Sequence, residues 1–136
     1  MPSSYVLDTF ALLAHLQGEN SGTRVREILQ AAESGRAAVH VSLINVGQAL
    51  YITERRRGVE KAQETLAAIR QLPLEILPAD AGAVFSAAHI KAGYAISYAD
   101  AFCVAAALSR NAAILTGDPE FKAVEQLVAV EWIEDR

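Results

Sequence analysis

The sequence predicts an α/β fold with a roughly five-stranded parallel sheet between helices, and three observations carry that prediction. Short apolar runs alternate with stretches whose apolar residues recur at helical spacing, the pattern of a parallel sheet covered on both faces. The chain has 136 residues, half of them apolar, which fits one domain (1–136) with a core of its own. Three aspartates, Asp8, Asp100 and Asp118, stand where a short apolar run gives way to a helix.

Residues 5–7 read as a buried strand, followed by a helix through Phe10, Leu12, Leu13 and Leu16 that stops at Gly18. Ser21 caps a second helix, with Val25, Ile28, Leu29 and Ala32 inward and Gly35 closing it. Residues 37–41 form the second strand. Ser42 caps the next helix, lined by Leu43, Val46, Leu50 and Ile52 and ending near Arg57 and Gly58. A further amphipathic helix with Ala62, Leu66 and Ile69 inward runs to Pro73, and residues 74–77 are the third strand. Asp80 caps a helix carrying Val84, Ala88 and Ile90 that ends near Gly93. Ser97 opens a long apolar helix that Asn111 terminates. Residues 113–116 and 128–133 are the last two strands.

Bulk properties bound the function. The net charge of −4 gives no global support for nucleic-acid binding, so any basic surface is local. A nuclease is not excluded, because its active site is itself acidic. Cys103 is the only cysteine, which rules out an intrachain disulfide and argues against structural zinc. The opening residues show no basic region followed by an apolar stretch, and no apolar run approaches ~20 residues. The expectation is a soluble cytoplasmic protein with no membrane contact.

Each aspartate has a structural explanation of its own. Asp8 can cap the helix after it, Ser97 and Asp100 approximate a capping box, and Asp118-Pro119 is a good helix start. Their joint placement says more, because ligands of open α/β sheets sit at the carboxyl ends of the strands. Three carboxylates gathered there repel one another unless a cation holds them. Mg²⁺ or Mn²⁺, hard ions that prefer oxygen, fit that need and point to phosphate chemistry. Asp80 is read as a cap only.

These residues carry a resemblance. Val6-Leu7-Asp8-Thr9, Tyr98-Ala99-Asp100-Ala101 entering an Ala-rich helix, and Leu115-Thr116-Gly117-Asp118-Pro119-Glu120-Phe121 together resemble the PIN domain, in the form of VapC-type toxins of toxin–antitoxin pairs. The resemblance implies a five-stranded parallel sheet between helices and a Mg²⁺- or Mn²⁺-dependent endoribonuclease leaving 5′-phosphate and 3′-hydroxyl ends. It implies metal ligands at Asp8, Asp100 and Asp118, an RNA substrate, a homodimer, and silencing by a small cognate antitoxin. The family's fourth acid, a glutamate, falls on Gln48. An amide oxygen can coordinate a cation but brings no charge, so catalysis is expected to weaken, and a PIN-like domain that binds antitoxin or RNA without cutting is the alternative. Glu54 is a poor replacement, on another face and roughly 9 Å farther along the helix. Asn45, one turn before Gln48, can add a neutral oxygen.

Lesser signals have two readings each. Thr9 and Thr116 can orient water or carboxylates, or make strand-end hydrogen bonds. Arg55, Arg56, Arg57 and Lys61 can meet RNA phosphates or cap a solvated helix end. Tyr94 and Tyr98 can stack on a base or pack at the sheet edge. His15, His40 and His89 lack metal-ligand spacing. No nucleoside-triphosphate loop or dinucleotide fingerprint is present.

Overall fold

In the computed structural model, which describes residues 3–133, the period of every apolar pattern finds its element. Met1 and Pro2, which begin the stretch expected to carry no leader, lie outside the described residues. The order is β1 (Ser3–Leu7), α1 (Thr9–Leu16), α2 (Gly22–Glu33), β2 (Ala37–Ser42), α3 (Leu43–Arg57), α4 (Val59–Arg70), β3 (Glu75–Leu77), α5 (Ala81–Gly93), α6 (Tyr98–Arg110), β4 (Ala113–Thr116), a 3₁₀ helix (Pro119–Val124) and β5 (Val130–Trp132).

All strand pairings are parallel, in the order β3-β2-β1-β4-β5. The chain winds outward from β1 to β3, then returns to the other side of β1 to lay down β4 and β5. The order therefore reverses between β1 and β4, and such a switch point opens a crevice at the carboxyl ends of the strands. Asp8 follows β1 there, and Gly117-Asp118 follows β4.

The strand period of two divides the core. Val6 and Ile114 face a cluster with Ala87 and Ile90 of α5, Phe102 and Val104 of α6, and Phe121 of the 3₁₀ helix. Leu7 and Leu115 face the opposite cluster, with Leu12 of α1, Val25 and Ile28 of α2, Val46 of α3 and Ile69 of α4. Val6, Leu7, Ile114 and Leu115 are fully buried, each contributing about 1.5–3 kcal/mol. The sheet is thus pinned from both sides at the two strands that flank the crevice.

Helix ends follow their caps. Asp8, Ser42, Asp80 and Ser97 each accept a hydrogen bond from an amide in the first turn, and Asn111 ends α6 in the left-handed conformation. Gly35 closes α2 with φ +79°. Ser21 departs from its expected role: its hydroxyl makes no cap bond and is buried without a partner, because the residue is already helical in backbone (φ −62°, ψ −20°). Leu43 departs too, standing 47% exposed at the first position of α3, where Asn45, Val46, Ala49 and Thr53 take the inward stripe. In α5 the inward residue is Ala87, not Ala88. Among the described residues no single helix is long and apolar enough to cross a membrane.

Candidate functional site

Asp8 is built into the crevice by two hydrogen bonds. One carboxyl oxygen accepts the Ala11 N–H of α1 at 2.8 Å, and the other accepts the Thr116 hydroxyl from β4. The same Thr116 oxygen accepts the Asp118 N–H at 2.9 Å, so one hydroxyl ties the two aspartates together across the switch point. Asp118 in turn caps the 3₁₀ helix by accepting the Glu120 N–H at 2.9 Å. The capping readings of Asp8 and Asp118 are thus both realised, and both residues still stand at the same edge.

Gly117 makes that approach feasible. A side-chain carbon there would lie 2.4 Å from the Phe10 ring and 2.7 Å from the Ile133 carbonyl oxygen. Phe121, fully buried two residues after Pro119, anchors the turn that holds Asp118.

Asp100 enters from the first turn of α6. Ser97 accepts the Asp100 N–H at 3.1 Å, which is half of a capping box. The other half is taken by a different acid: the Ser97 N–H donates to the Glu120 carboxylate. Asp100 is therefore free of the cap, and its carboxyl hydrogen-bonds to Glu120 instead. Glu120 is the fourth acid of the site, and its role was missed in the sequence. An acidic residue in the first turn after Asp118-Pro119 is explained by the helix dipole alone, which hid it.

Burial governs the electrostatics. Asp8 is 1% exposed, and loss of hydration pushes its carboxyl up to about 7, with the Asp118 charge adding to the push. Thr116 and Ala11, which donate to the carboxylate, pull the other way. Asp100 is pushed up to about 8 by burial, then by the Glu120 hydrogen bond and by the charges of Glu120 and Asp8. Glu120 is held below the usual range, first by Asp100 and then by the Ser97 N–H. Within the pair the proton is favoured on Asp100 and the charge on Glu120.

Gln48 stands at the margin of this cluster, where its side-chain oxygen accepts the Thr9 hydroxyl at 2.6 Å. Thr9 follows Asp8 directly, so the hydroxyl fixes the amide beside the first aspartate. Asn45 is fully buried, donates to the Ala99 carbonyl at 3.2 Å, and leaves its own oxygen without a partner among the described residues. Of the two tyrosines, Tyr98 is 45% exposed with its ring tilted on Phe102, and Tyr94 is 38% exposed. His40 lies away from the cluster, on the sheet, between Glu75 (2.9 Å) and Ser4 (3.4 Å).

Four acids and two amides therefore collect at one sheet edge. As the side chains lie, no three acidic, histidine or cysteine groups among the described residues converge on a single ion position. The chemistry of the donors nonetheless fits a hard dication. Among the described residues none of the four acids is ion-paired to a lysine or arginine within 4 Å, and burial pushes two of them toward the protonated form.

The sequence profile of the PIN domain matches residues 5–127. The chain belongs to the PIN domain family. That match contains all four acids and Gln48. No curated protein matches the chain in sequence. Among solved structures, this PIN domain is similar to a chain of DNA-bound VapBC from Salmonella typhimurium, with TM-score 0.74 and 20% identity over 98% of this chain and 100% of that one. A chain of VapBC2 from Rickettsia felis, bound to a fragment of promoter DNA, gives 0.72 and 20%, covering 96% and 99%. VapC20 from Mycobacterium tuberculosis, a toxin that cleaves the sarcin–ricin loop, gives 0.65 and 18%, covering 88% and 94%. At these identities the likeness is one of fold.

Proposed function

We propose that this PIN domain is a Mg²⁺- or Mn²⁺-dependent endoribonuclease, the toxin of a VapBC-type pair, held silent by a small cognate antitoxin. The observation that carries the reading is the cluster of Asp8, Asp100, Asp118 and Glu120 at the switch point of a PIN fold, with Asp8 and Asp100 raised to about 7 and 8. Uncompensated acids would repel an RNA phosphate, so a cation is required before such a substrate can approach.

Asp8, Asp118 and Asp100 would hold the ion, with Glu120 swinging from Asp100 to join them. When bound, the ion neutralises the carboxylates, lowers the pKa of water and stabilises the charge that develops at phosphorus. Thr116 fixes the Asp8 carboxylate and the Asp118 backbone in register. Attack of water on phosphorus breaks the bond to the 3′ oxygen, which leaves as a 3′-hydroxyl, with the phosphate on the 5′ side.

The second reading is a weak or inactive PIN domain that acts by binding antitoxin or RNA. It is favoured by Gln48, whose oxygen is occupied by the Thr9 hydroxyl and carries no charge. Incubating total RNA with Mn²⁺ and the chain, beside its Gln48→Glu variant, separates the two. Cleavage by both, with the variant roughly tenfold faster and both stopped by chelation, is expected. Cleavage by the variant alone would leave binding as the function.

The homodimer belongs to the same proposal. Helix α5 carries a single charged side chain, Lys91, and its outer face presents Phe85 at 71% exposure. A helix apolar on both faces is one that expects cover. Sedimentation at micromolar concentration is expected to give dimers that Phe85→Glu dissociates; a monomeric parent chain would remove this assembly.

A further inference from the structure

One stripe of α3 begins at the acid cluster and leads away from it. Gln48, bound to Thr9, is followed by Tyr51 one turn on and Arg55 one turn beyond that. At 100° per residue these three lie within an arc of about 60°, and at 1.5 Å per residue they extend about 10 Å. Tyr51 is 48% exposed, and the Arg55 guanidinium lies over its ring, 5.1 Å from the centroid. Arg55 has no carboxylate within salt-bridge distance among the described residues. It also opens the run Arg55-Arg56-Arg57, the one basic run of a chain whose net charge is −4.

A tyrosine and arginine four residues apart on a helix can be no more than a surface pair. Three features argue for a ligand. The ring is half open to solvent, on the side of α3 opposite the buried Val46 and Ala49. The arginine has no ion-pair partner within 4 Å among the described residues. The stripe is continuous with a site that would act on a phosphodiester. An aromatic face beside a guanidinium is the minimal platform for an unpaired nucleotide, the ring or guanidinium plane stacking on the base and the cation meeting the phosphate.

We propose that Gln48, Tyr51 and Arg55 form a track for single-stranded RNA, on which the strand runs outward from the acid cluster along α3. Tyr51 stacks on an unpaired base one or two nucleotides from the cleaved bond, and Arg55 engages a phosphate. The inference rests on the ribonuclease reading for its choice of ligand. The track takes unpaired bases, because bases inside a duplex offer no face to Tyr51.

The test measures binding separately from cutting. A fluorescein-labelled, unstructured 12-nucleotide RNA is titrated by anisotropy with the chain carrying Asp100→Asn, in Mg²⁺, and with the same chain bearing Tyr51→Ala, Tyr51→Phe or Arg55→Gln. Tyr51→Ala is expected to weaken binding roughly tenfold and Tyr51→Phe to bind like the parent. Arg55→Gln is expected to flatten the dependence of log affinity on log salt by about 0.7, one single-strand phosphate contact. Thermal melts of the variants, both changes being at exposed positions, are expected to match the parent. Equal binding by Tyr51→Ala and the parent, or an unchanged salt slope with Arg55→Gln, overturns the track. So does loss of a co-expressed protein partner, and not of RNA, on Tyr51→Ala. Mn²⁺-dependent cleavage by the otherwise unaltered chain is scored in parallel. Cutting with no Tyr51 effect on binding removes the track and leaves the nuclease, whereas Tyr51-dependent binding without cutting removes the nuclease and leaves the track.

Discussion

Asp100→Asn is expected to abolish Mn²⁺-dependent RNA cleavage, by on the order of a hundredfold or more, while the metal-free chain stays folded and at pH 8 is at least as stable as its parent. The two effects have one origin. Asp100 sits 7% exposed beside Glu120 and within reach of the Asp8 charge, an arrangement that holds its carboxyl up at about 8. That is an uncomfortable place for an anion and a good place for a cation. An asparagine keeps the volume and still donates to Glu120, so the cost of ionising a buried acid disappears while the charge needed to hold a dication is lost. The helix does not depend on that carboxyl, because Ser97 caps it through the backbone N–H of residue 100. Calorimetric titration with Mn²⁺, a thermal melt in EDTA and the cleavage assay together check the claim. Undiminished cleavage would remove Asp100 from the site; a collapsed melt would make its role structural.

The sheet edge was legible in the sequence because strand-end aspartates leave a local signature, an apolar run followed by an acid and a helical period. That signature located Asp8 and Asp118 without any knowledge of which strands are neighbours, whereas Asp100 follows no strand and was marked by the long apolar helix it opens. The order β3-β2-β1-β4-β5 was not legible from the apolar pattern, since every buried strand reads alike, and only the structure supplies it. Side-chain direction was the other blind spot. Ser21 has the residue type of a cap but not its backbone angles, and Leu43 has the right spacing but sits at a helix start above the core. Glu120 was obscured by a sufficient local reason for its presence. Asn45 was noted as a neutral oxygen, yet its complete burial with an unpartnered oxygen depends on how α3 packs on α6, which no spacing in one helix records.

Raising the pH should destabilise the metal-free chain, and Mn²⁺ should reverse the trend. Asp8 has an unfolded value near 3.8 and a folded value of about 7. Below the lower value both states are protonated and the contribution is complete. Between the two, the folded chain keeps a proton that the unfolded chain has released, so stability falls by about 1.4 kcal/mol for each pH unit. Across the whole interval Asp8 alone accounts for a loss on the order of 4 kcal/mol. Asp100 acts in the same direction up to about 8, whereas the lowered Glu120 adds stability that is already complete above the ordinary glutamate range. Melting in EDTA is therefore expected to drop by roughly 10 °C between pH 5 and pH 8, and Asp8→Asn should flatten part of that slope, with Asp100 carrying the rest. A dication binds only the ionised carboxylates, so its stabilisation must grow over the same interval in which the protons leave. The shift in melting temperature produced by Mn²⁺ should accordingly be small at pH 5 and large at pH 8. A metal-free melt that stays level or climbs from pH 5 to pH 8 would mean that the acids are not confined together. The crevice would then be an ordinary set of helix caps, with no charge waiting for a metal.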